Sequence, residues 1–443
     1  MINNLHYEKF QDGTIKCIED EIPFEVPEGW AWARLRDICM MSAGKSKSTD
    51  QIKSEPFEES YPCFGGNGVR GYVDEYNQDG IFSIVGRQGA LCGNINIAIG
   101  KFYATEHAVV TTLFDGIDFK WSNYILEALR LNNYATGAAQ PGLSVANILN
   151  VFVPVPPTQE QDRIGNNVYE SLKIVEALEQ EKIDLQKIII TAKTKILDLA
   201  IRGKLVPQDP NDEPASVLLE RIRTEKEELI KQGKIKRDKK ESVIFKGDDN
   251  SYYLRTGRVE ESLEDWRFDD LPETWKICCL GELCDYGDCI NVNTEDIAED
   301  AWILDLEDIE KDTGTVLKKV TKDQRNSVST KHKFHSGQVL YSKLRPYLNK
   351  VVLSDADGYC TSEILPLEFK NCVLPEYARY YLMSGTFIAY ANHCSYGVKM
   401  PRLGTTDGKK AIFSLPPLSE QKRIVETIDF CFVQLNKISE ALA

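Results

Sequence analysis

Two stretches of the chain carry apolar residues at alternating spacings of three and four. The first takes in Ile164, Val168, Leu172, Val175 and Leu178, then Leu185, Ile189, Ile196 and Leu199; the second takes in Ile424, Ile428, Phe432, Leu435, Ile438 and Leu442. Lys and Glu fill the remaining positions, so each pattern predicts a helix with one apolar seam, a surface that normally buries itself against another helix. The two seams are expected to pair with each other. The first helix is predicted to run for about 45 residues to Gly203, some 65 Å at 1.5 Å per residue, and the second for about 25. A third, shorter helix is predicted from Pro214 to about Lys231, with proline at its first turn.

Each seam starts after the same signature. Val155-Pro156-Pro157-Thr158-Gln159-Glu160-Gln161-Asp162-Arg163-Ile164 returns as Leu415-Pro416-Pro417-Leu418-Ser419-Glu420-Gln421-Lys422-Arg423-Ile424, an internal repeat that shares Pro-Pro-x-x-Glu-Gln-x-Arg-Ile. The prolines stop a preceding strand, Thr158 and Ser419 are candidate N-caps, and Glu160 and Glu420 suit the positive end of a helix dipole. A second matched pair lies upstream, Phe24 to Trp30 and Phe268 to Trp275, and Arg255 to Trp275 loosely mirrors Gln11 to Trp30. Between the markers, Tyr103-Ala104-Thr105-Glu106-His107 is similar to Tyr359-Cys360-Thr361-Ser362-Glu363, each followed by an alternating run that predicts a strand. The chain therefore divides into a globular module at 1–155, a helical spacer and linker at 156–265, a second globular module at 266–415 and a distal helix at 416–443. The fold class is α+β, two globular domains separated by long antiparallel, coiled-coil-like helices.

At 443 residues, 42% hydrophobic and 27% charged, the chain is long enough for two or three cores of its own. Its start lacks the basic and apolar runs of a signal peptide and no run of about 18 apolar residues occurs, so a cytoplasmic location without membrane contact is expected. Twelve cysteines are scattered; Cys278, Cys279, Cys284 and Cys289 lack paired Cys-x-x-Cys spacing and a nearby histidine, so free, mostly buried thiols and no metal are expected.

A net charge of -15 argues against a nucleic-acid partner until its distribution is considered. From Ile309 to Lys350 ten Lys or Arg stand against Glu310, Asp312 and Asp323. The run from Lys231 to Lys240 is basic too, without apolar periodicity, and reads as a solvated loop.

Catalytic patterns are weak. Phe64-Gly65-Gly66-Asn67-Gly68 fits a Phe-x-Gly-x-Gly loop for S-adenosylmethionine, but it runs into Val69 to Val73, a turn and strand, and no Asp/Asn-Pro-Pro-Tyr/Phe motif accompanies it. Gly44-Lys45-Ser46 resembles the end of a P-loop whose first glycine falls on Cys39. His332 and His335 have no evident carboxylate or cysteine partner and are expected on a basic surface. No catalytic residue is assigned. What remains suits DNA reading. Asn67 and Arg70 lie on one Gly-rich loop, Arg87 and Gln88 stand between Gly86 and Gly89, and Lys101 follows in the same module. The second module offers Tyr341, Ser342, Lys343, Arg345 and Lys350, then Lys399 and Arg402. Glycines let backbone N–H groups approach phosphates, while Arg and Gln make paired hydrogen bonds to base edges. A stand-alone or fused adenine methyltransferase or restriction fragment, and a scaffold without a DNA role, are the competing readings.

The repeated helix starts, Tyr341-Ser342-Lys343-Leu344-Arg345-Pro346-Tyr347, Val85-Gly86-Arg87-Gln88-Gly89 and Ala200-Ile201-Arg202-Gly203-Lys204-Leu205-Val206-Pro207 together resemble the DNA-specificity subunits of type I restriction-modification enzymes of bacteria and archaea, over essentially the whole chain. The resemblance implies a non-catalytic subunit with two target-recognition domains, each reading one half of a split sequence in double-stranded DNA. It also implies two modification subunits carrying S-adenosylmethionine and two restriction subunits using ATP and Mg, with no cofactor on this chain. Carried onto this sequence, Glu160, Gln161, Arg163, Ile164, Glu420, Gln421, Arg423 and Ile424 would lie on the helices that dock the modification subunits.

Overall fold

The computed structural model describes residues 5–10, 12–89, 91–137, 141–234, 242–249, 251–263, 271–325 and 328–442. Most of the basic run at 231–240, and Phe268 to Asp270 of the second module's opening marker, lie outside the described residues. The chain divides into two compact units, Met1–Glu181 and Lys182–Ala443.

The first unit is built on a six-stranded sheet in the order Cys39–Ala43, Ala108–Leu113, Gln78–Gly86, Ile95–Ala104, Tyr61–Gly65, Gly68–Val73. Pairing is antiparallel except where Cys63 and Phe64 run parallel to Tyr103 and Ala104. Leu35, Val85, Val109, Trp121, Leu126, Ile148 and Val153 form its main core, and Phe64, Ile84 and Phe102 a second cluster. In the second unit Val339–Ser342 is the middle of a three-stranded sheet between Val351–Leu353 and Ile364–Leu367. A five-stranded sheet lies alongside in sequence, running Ile290–Val292, Lys331–Phe334, Gly358–Thr361, Trp302–Leu304, Val320–Thr321.

The region expected to be helical spacer and linker is only partly so. Ser242–Lys246, Tyr252–Thr256 and Val259–Ser262 form a small antiparallel sheet, and its Ile244 and Leu254 pack with Ile277, Cys279 and Ile412 of the second module. Val243, Ile244 and Phe245 with Tyr252, Tyr253 and Leu254 are β-branched, aromatic or apolar, which suits strands.

Helices occur where the seams predict them: Thr158–Ile201 of 44 residues, Ala215–Lys231 and Leu418–Ala441 of 24. The capping expectation fails. Thr158 is already helical and its hydroxyl donates to the Gly116 carbonyl at 3.0 Å, while Ser419 lies inside a helix whose N-cap is Pro417. The Pro157 carbonyl accepts from the Glu160 and Gln161 amides, so backbone and not a hydroxyl closes the first turn.

The repeated glutamine explains the signature. Gln161 Oε1 accepts from the Asp118 amide at 2.9 Å while its Nε2 donates to the Pro156 carbonyl at 2.8 Å. Gln421 repeats the arrangement with the Leu374 amide at 2.8 Å and the Pro416 carbonyl at 3.1 Å, and adds the Cys372 carbonyl at 2.9 Å. Each glutamine thus pins its helix start to the helix that opens at Phe119 or Pro375. Gly165 completes the fit in the first unit, since a Cβ there would meet Lys120 Cβ and the Trp121 nitrogen, each at 2.9 Å.

In the second unit the two seams pack antiparallel. Leu197, Ala200 and Ile201 share a core with Ile424, Val425 and Ile428, Lys193 Nζ donates to Asn436 Oδ1 at 2.6 Å, and the Ser414 hydroxyl donates to the Ile201 carbonyl at 2.9 Å. Within the second unit, residues 182–188 of the long helix are all exposed, Ile183, Leu185 and Ile188 included, so the seam-to-seam pairing there is confined to the turns that follow.

All twelve cysteines are free and eight are buried; burial pushes Cys39 up to about 12 and Cys372 up to about 11. Because the thiolate is the reactive form, exposed Cys17 is expected to label first with a thiol reagent at pH 8 and the eight buried thiols only on unfolding. Mass mapping of early adducts tests this, and early labelling at Cys39 or Cys372 would contradict it.

Candidate nucleic-acid interface

Arg87 and Gln88 follow the central strand Gln78–Gly86, and both are exposed. Three backbone contacts fix their loop: the Arg87 amide donates to the His107 carbonyl at 2.9 Å, the Leu143 amide to the Arg87 carbonyl at 2.8 Å, and the Gly89 amide to the Pro141 carbonyl at 3.0 Å. Gly89 has φ +94, a left-handed conformation that glycine adopts without steric cost. Thr136 and Gly142 exchange both backbone bonds beside it.

The same frame recurs in the second unit. The Lys343 amide donates to the Glu363 carbonyl at 3.0 Å, the Leu403 amide to the Lys343 carbonyl at 3.0 Å, and the Arg345 amide to the Pro401 carbonyl at 2.7 Å; Tyr396 and Arg402 exchange the paired bonds. Arg345 takes the left-handed place of Gly89, with φ +50. Arg87 and Lys343 are therefore structural twins, as are His107 and Glu363, and Gly142 and Arg402. A sequence signal for this existed. Thr136-Gly137-Ala138-Ala139-Gln140-Pro141-Gly142-Leu143 and Tyr396-Gly397-Val398-Lys399-Met400-Pro401-Arg402-Leu403 share x-Gly-x-x-x-Pro-x-Leu, and Gly137 and Gly397 both have φ +99.

Asn67 sits exposed on the turn between Tyr61–Gly65 and Gly68–Val73, and its Oδ1 accepts from Asn94 Nδ2 at 2.8 Å. A Cβ at Gly66 would lie 3.1 Å from the Gln88 carbonyl oxygen and 3.6 Å from that of His107, so this turn abuts the Arg87 loop. Arg70 is exposed nearby, with Nη2 3.1 Å from Thr49 Oγ1. Lys101 stands apart: it pairs with Asp79, six residues from Val85 along the strand, or roughly 20 Å, and its Nζ lies 4.6 Å from the Tyr76 ring centroid.

In the second unit Lys343 and Arg345 are half-buried, and Arg345 Nη2 lies 3.4 Å from the carbonyl of exposed Lys399. Arg402 grips Glu363, Nη2 to Oε1 at 2.6 Å and Nε to both oxygens at 3.0 and 3.1 Å. Tyr341 and Ser342 do not belong to the surface. Val339–Ser342 is covered on both faces, so Tyr341 packs against Phe387 and Ser342 Oγ donates to the Leu344 carbonyl. The Lys350 ammonium donates to the Leu306 carbonyl at 2.6 Å, and burial lowers its pKa.

Much of the basic stretch is neutralised internally. Arg325 binds Asp305 and Asp308, Lys319 binds Asp355 at 2.7 Å, Lys322 binds Glu299 at 3.0 Å, and Lys331 is buried against Ser329. His332, expected on the surface, is buried with Nδ1 2.8 Å from the Ile364 carbonyl, and burial lowers its pKa. His335 does have a carboxylate partner, Glu368, at 2.7 Å.

The helix-start residues are mostly internal as well. Gln161, Glu420, Gln421 and Ile424 are buried and Ile164 packs on the first core. Glu420 accepts from Trp275 Nε1 at 2.9 Å and Gln208 Nε2 at 2.5 Å, with burial raising its pKa, and Arg423 binds Asp212 at 2.6 Å. Glu160 is half-buried and Arg163 exposed. Side chains used up inside their own unit are not free to dock another protein.

A family model described as the type I restriction modification DNA specificity domain matches residues 27–192 and again 272–441. The chain belongs to this family. Its two specificity domains are the two halves of the repeat, each ending within one of the long helices. The specificity subunit of the Escherichia coli EcoAI type I restriction enzyme is 25% identical over 95% of this chain and 80% of that one. The EcoprrI specificity subunit of Escherichia coli is 47% identical over 33% of this chain and 36% of its own length. Among solved structures, the HsdS subunit from Thermoanaerobacter tengcongensis matches with a TM-score of 0.52 at 15% identity, covering 95% of this chain and 93% of that one. A chain from a structure of type I R-M system assembly matches with a TM-score of 0.54, also at 15% identity, over 95% and 94%. Both share the fold. No helix among the described residues is long and apolar enough to cross a membrane.

Proposed function

We propose that each specificity domain of this type I subunit reads one half of a bipartite duplex target, and that the catalytic steps belong to partner subunits. The observation that supports this most directly is the duplicated frame, which presents Arg87 in one domain and Lys343 in the other on the same backbone scaffold. Asn67, Arg70, Gln88, Arg345, Lys399 and Arg402 surround the two positions and suit base or phosphate contact. Tyr341, Ser342 and Lys350 support the loop from within. Lys101 would act only as an outlying phosphate contact.

Two modification subunits supplying S-adenosylmethionine and two restriction subunits supplying ATP and Mg complete the proposed assembly. The exposed stripe Leu172, Val175 and Leu178 suits docking of a modification subunit better than the buried signature residues do. With a net charge of -15 and much of its cation supply paired internally, the isolated chain is expected to bind DNA weakly and the assembled methyltransferase tightly.

Arg87→Ala and Lys343→Ala are each expected to weaken target binding by the assembled complex by roughly 1 to 3 kcal/mol if the side chain reads a base. Titration of target and scrambled duplexes at two salt concentrations tests this. A split methylated-adenine motif in the genome of a host carrying the complex would support the bipartite reading. Random methylation, or wild-type binding by both variants, would overturn it.

A further inference from the structure

The two domains share a frame but not its side chains. At the twin positions the first domain has His107 and Gly142, the second Glu363 and Arg402. Beyond its three contacts to Glu363, Arg402 donates from Nη1 to the Met400 carbonyl at 3.0 Å. A guanidinium carries five N–H groups, so one N–H on Nη1 and one on Nη2 remain beyond these contacts, and a carboxylate has acceptor sites beyond those Arg402 uses. The pair is partly exposed, at 31% for the Arg402 side chain and 24% for Glu363. It borders the loop that carries Lys343 and Arg345.

A fixed fork of donors beside a carboxylate matches one object in the major groove. A G·C pair offers two acceptors, guanine O6 and N7, next to the N4 amino donor of cytosine. We propose that Glu363 and Arg402 together select a G·C pair in the second half-site, Arg402 donating to guanine and Glu363 both positioning that guanidinium and accepting from cytosine. The first domain, with an imidazole and no side chain at the twin positions, lacks this selection. The inference rests on the reading of each domain as a half-site reader.

The test uses the chain assembled with its modification subunits, scoring methylation of a duplex library randomised across both half-sites. Glu363→Gln and Arg402→Lys are each expected to lower discrimination at one G·C position of the second half-site by roughly tenfold or more, with first-half preferences intact. Retained discrimination at the other positions of the second half-site reports that the substituted domain is folded. Lysine keeps the charge but loses the fork, so it separates base reading from phosphate attraction. Wild-type discrimination in Arg402→Lys, or a loss spread evenly over all sequences, would overturn the assignment. A wild-type complex without bipartite preference would overturn the half-site reading itself and the pair's role with it. That failure is distinct from variants that leave a wild-type preference unaltered.

A graft in the opposite direction is sterically open. A Cβ at Gly142 would meet only the Arg87 carbonyl oxygen, at 3.8 Å, so Gly142→Arg with His107→Glu is expected to add G·C preference to the first half-site. Unchanged first-half preference in the double variant would overturn the claim that this pair of side chains on the shared frame carries the selection.

Discussion

Replacing Gln421 with Ala is expected to cost the second unit about 3 kcal/mol, and Gln161→Ala about 2 kcal/mol in the first, because each buried backbone group left without its partner costs about 1 kcal/mol or more. Gln421 satisfies the Leu374 amide and the Cys372 and Pro416 carbonyls, Gln161 the Asp118 amide and the Pro156 carbonyl. The loss is local in origin. Hydrogen exchange at the Leu374 and Asp118 amides should rise before any global change, and denaturant midpoints should fall in the same order. Protected amides and unshifted midpoints would show that water replaces the glutamine without cost.

The second large effect is expected at Arg325, where alanine should destabilise the second unit by roughly 3 to 5 kcal/mol. Its guanidinium makes two hydrogen bonds, at 2.7 and 2.8 Å, to the carboxylate of Asp308, a side chain with no exposed surface, and also binds Asp305. Removing it leaves the Asp308 charge inside the protein, offset by the Asp305 amide at 2.9 Å, by Lys318 at 3.7 Å and by the charge of nearby Lys350. Sequence position alone puts Arg325 in the stretch that looks made for phosphates. Thermal or urea unfolding separates the two roles: a stable Arg325→Ala variant with weakened DNA binding would return it to the surface group.

These two cases mark what the sequence makes legible. The repeat, the three helices and their lengths are readable because a period near 3.6 survives over many turns and Pro-Pro marks each start. The purpose of the shared glutamine is not, since a motif records that two helices begin alike and not what the side chain touches. Tyr341 and Ser342 mislead for a related reason: a strand covered on both faces loses the alternation that separates inside from outside. Arg87 and Lys343 read as unlike loops, one rich in glycine and one in cations, because side chains differ where the backbone is the same. Composition also conceals pairing, so Lys319, Lys322 and Arg325 count as basic although Asp355, Glu299, Asp305 and Asp308 already hold them.

The left-handed residue at the end of each loop has one more consequence. Gly89 adopts φ +94 freely, whereas Arg345 holds φ +50 at a cost of about 1 to 2 kcal/mol, the ordinary penalty for a side chain in that region. The second domain therefore keeps a conformational strain that glycine would relieve, concentrated on a cation beside Lys343 and Lys399. On the half-site reading proposed above, a contact from Arg345 to DNA would offset that strain; φ alone does not assign the role, since Arg130 also holds a positive φ, +47.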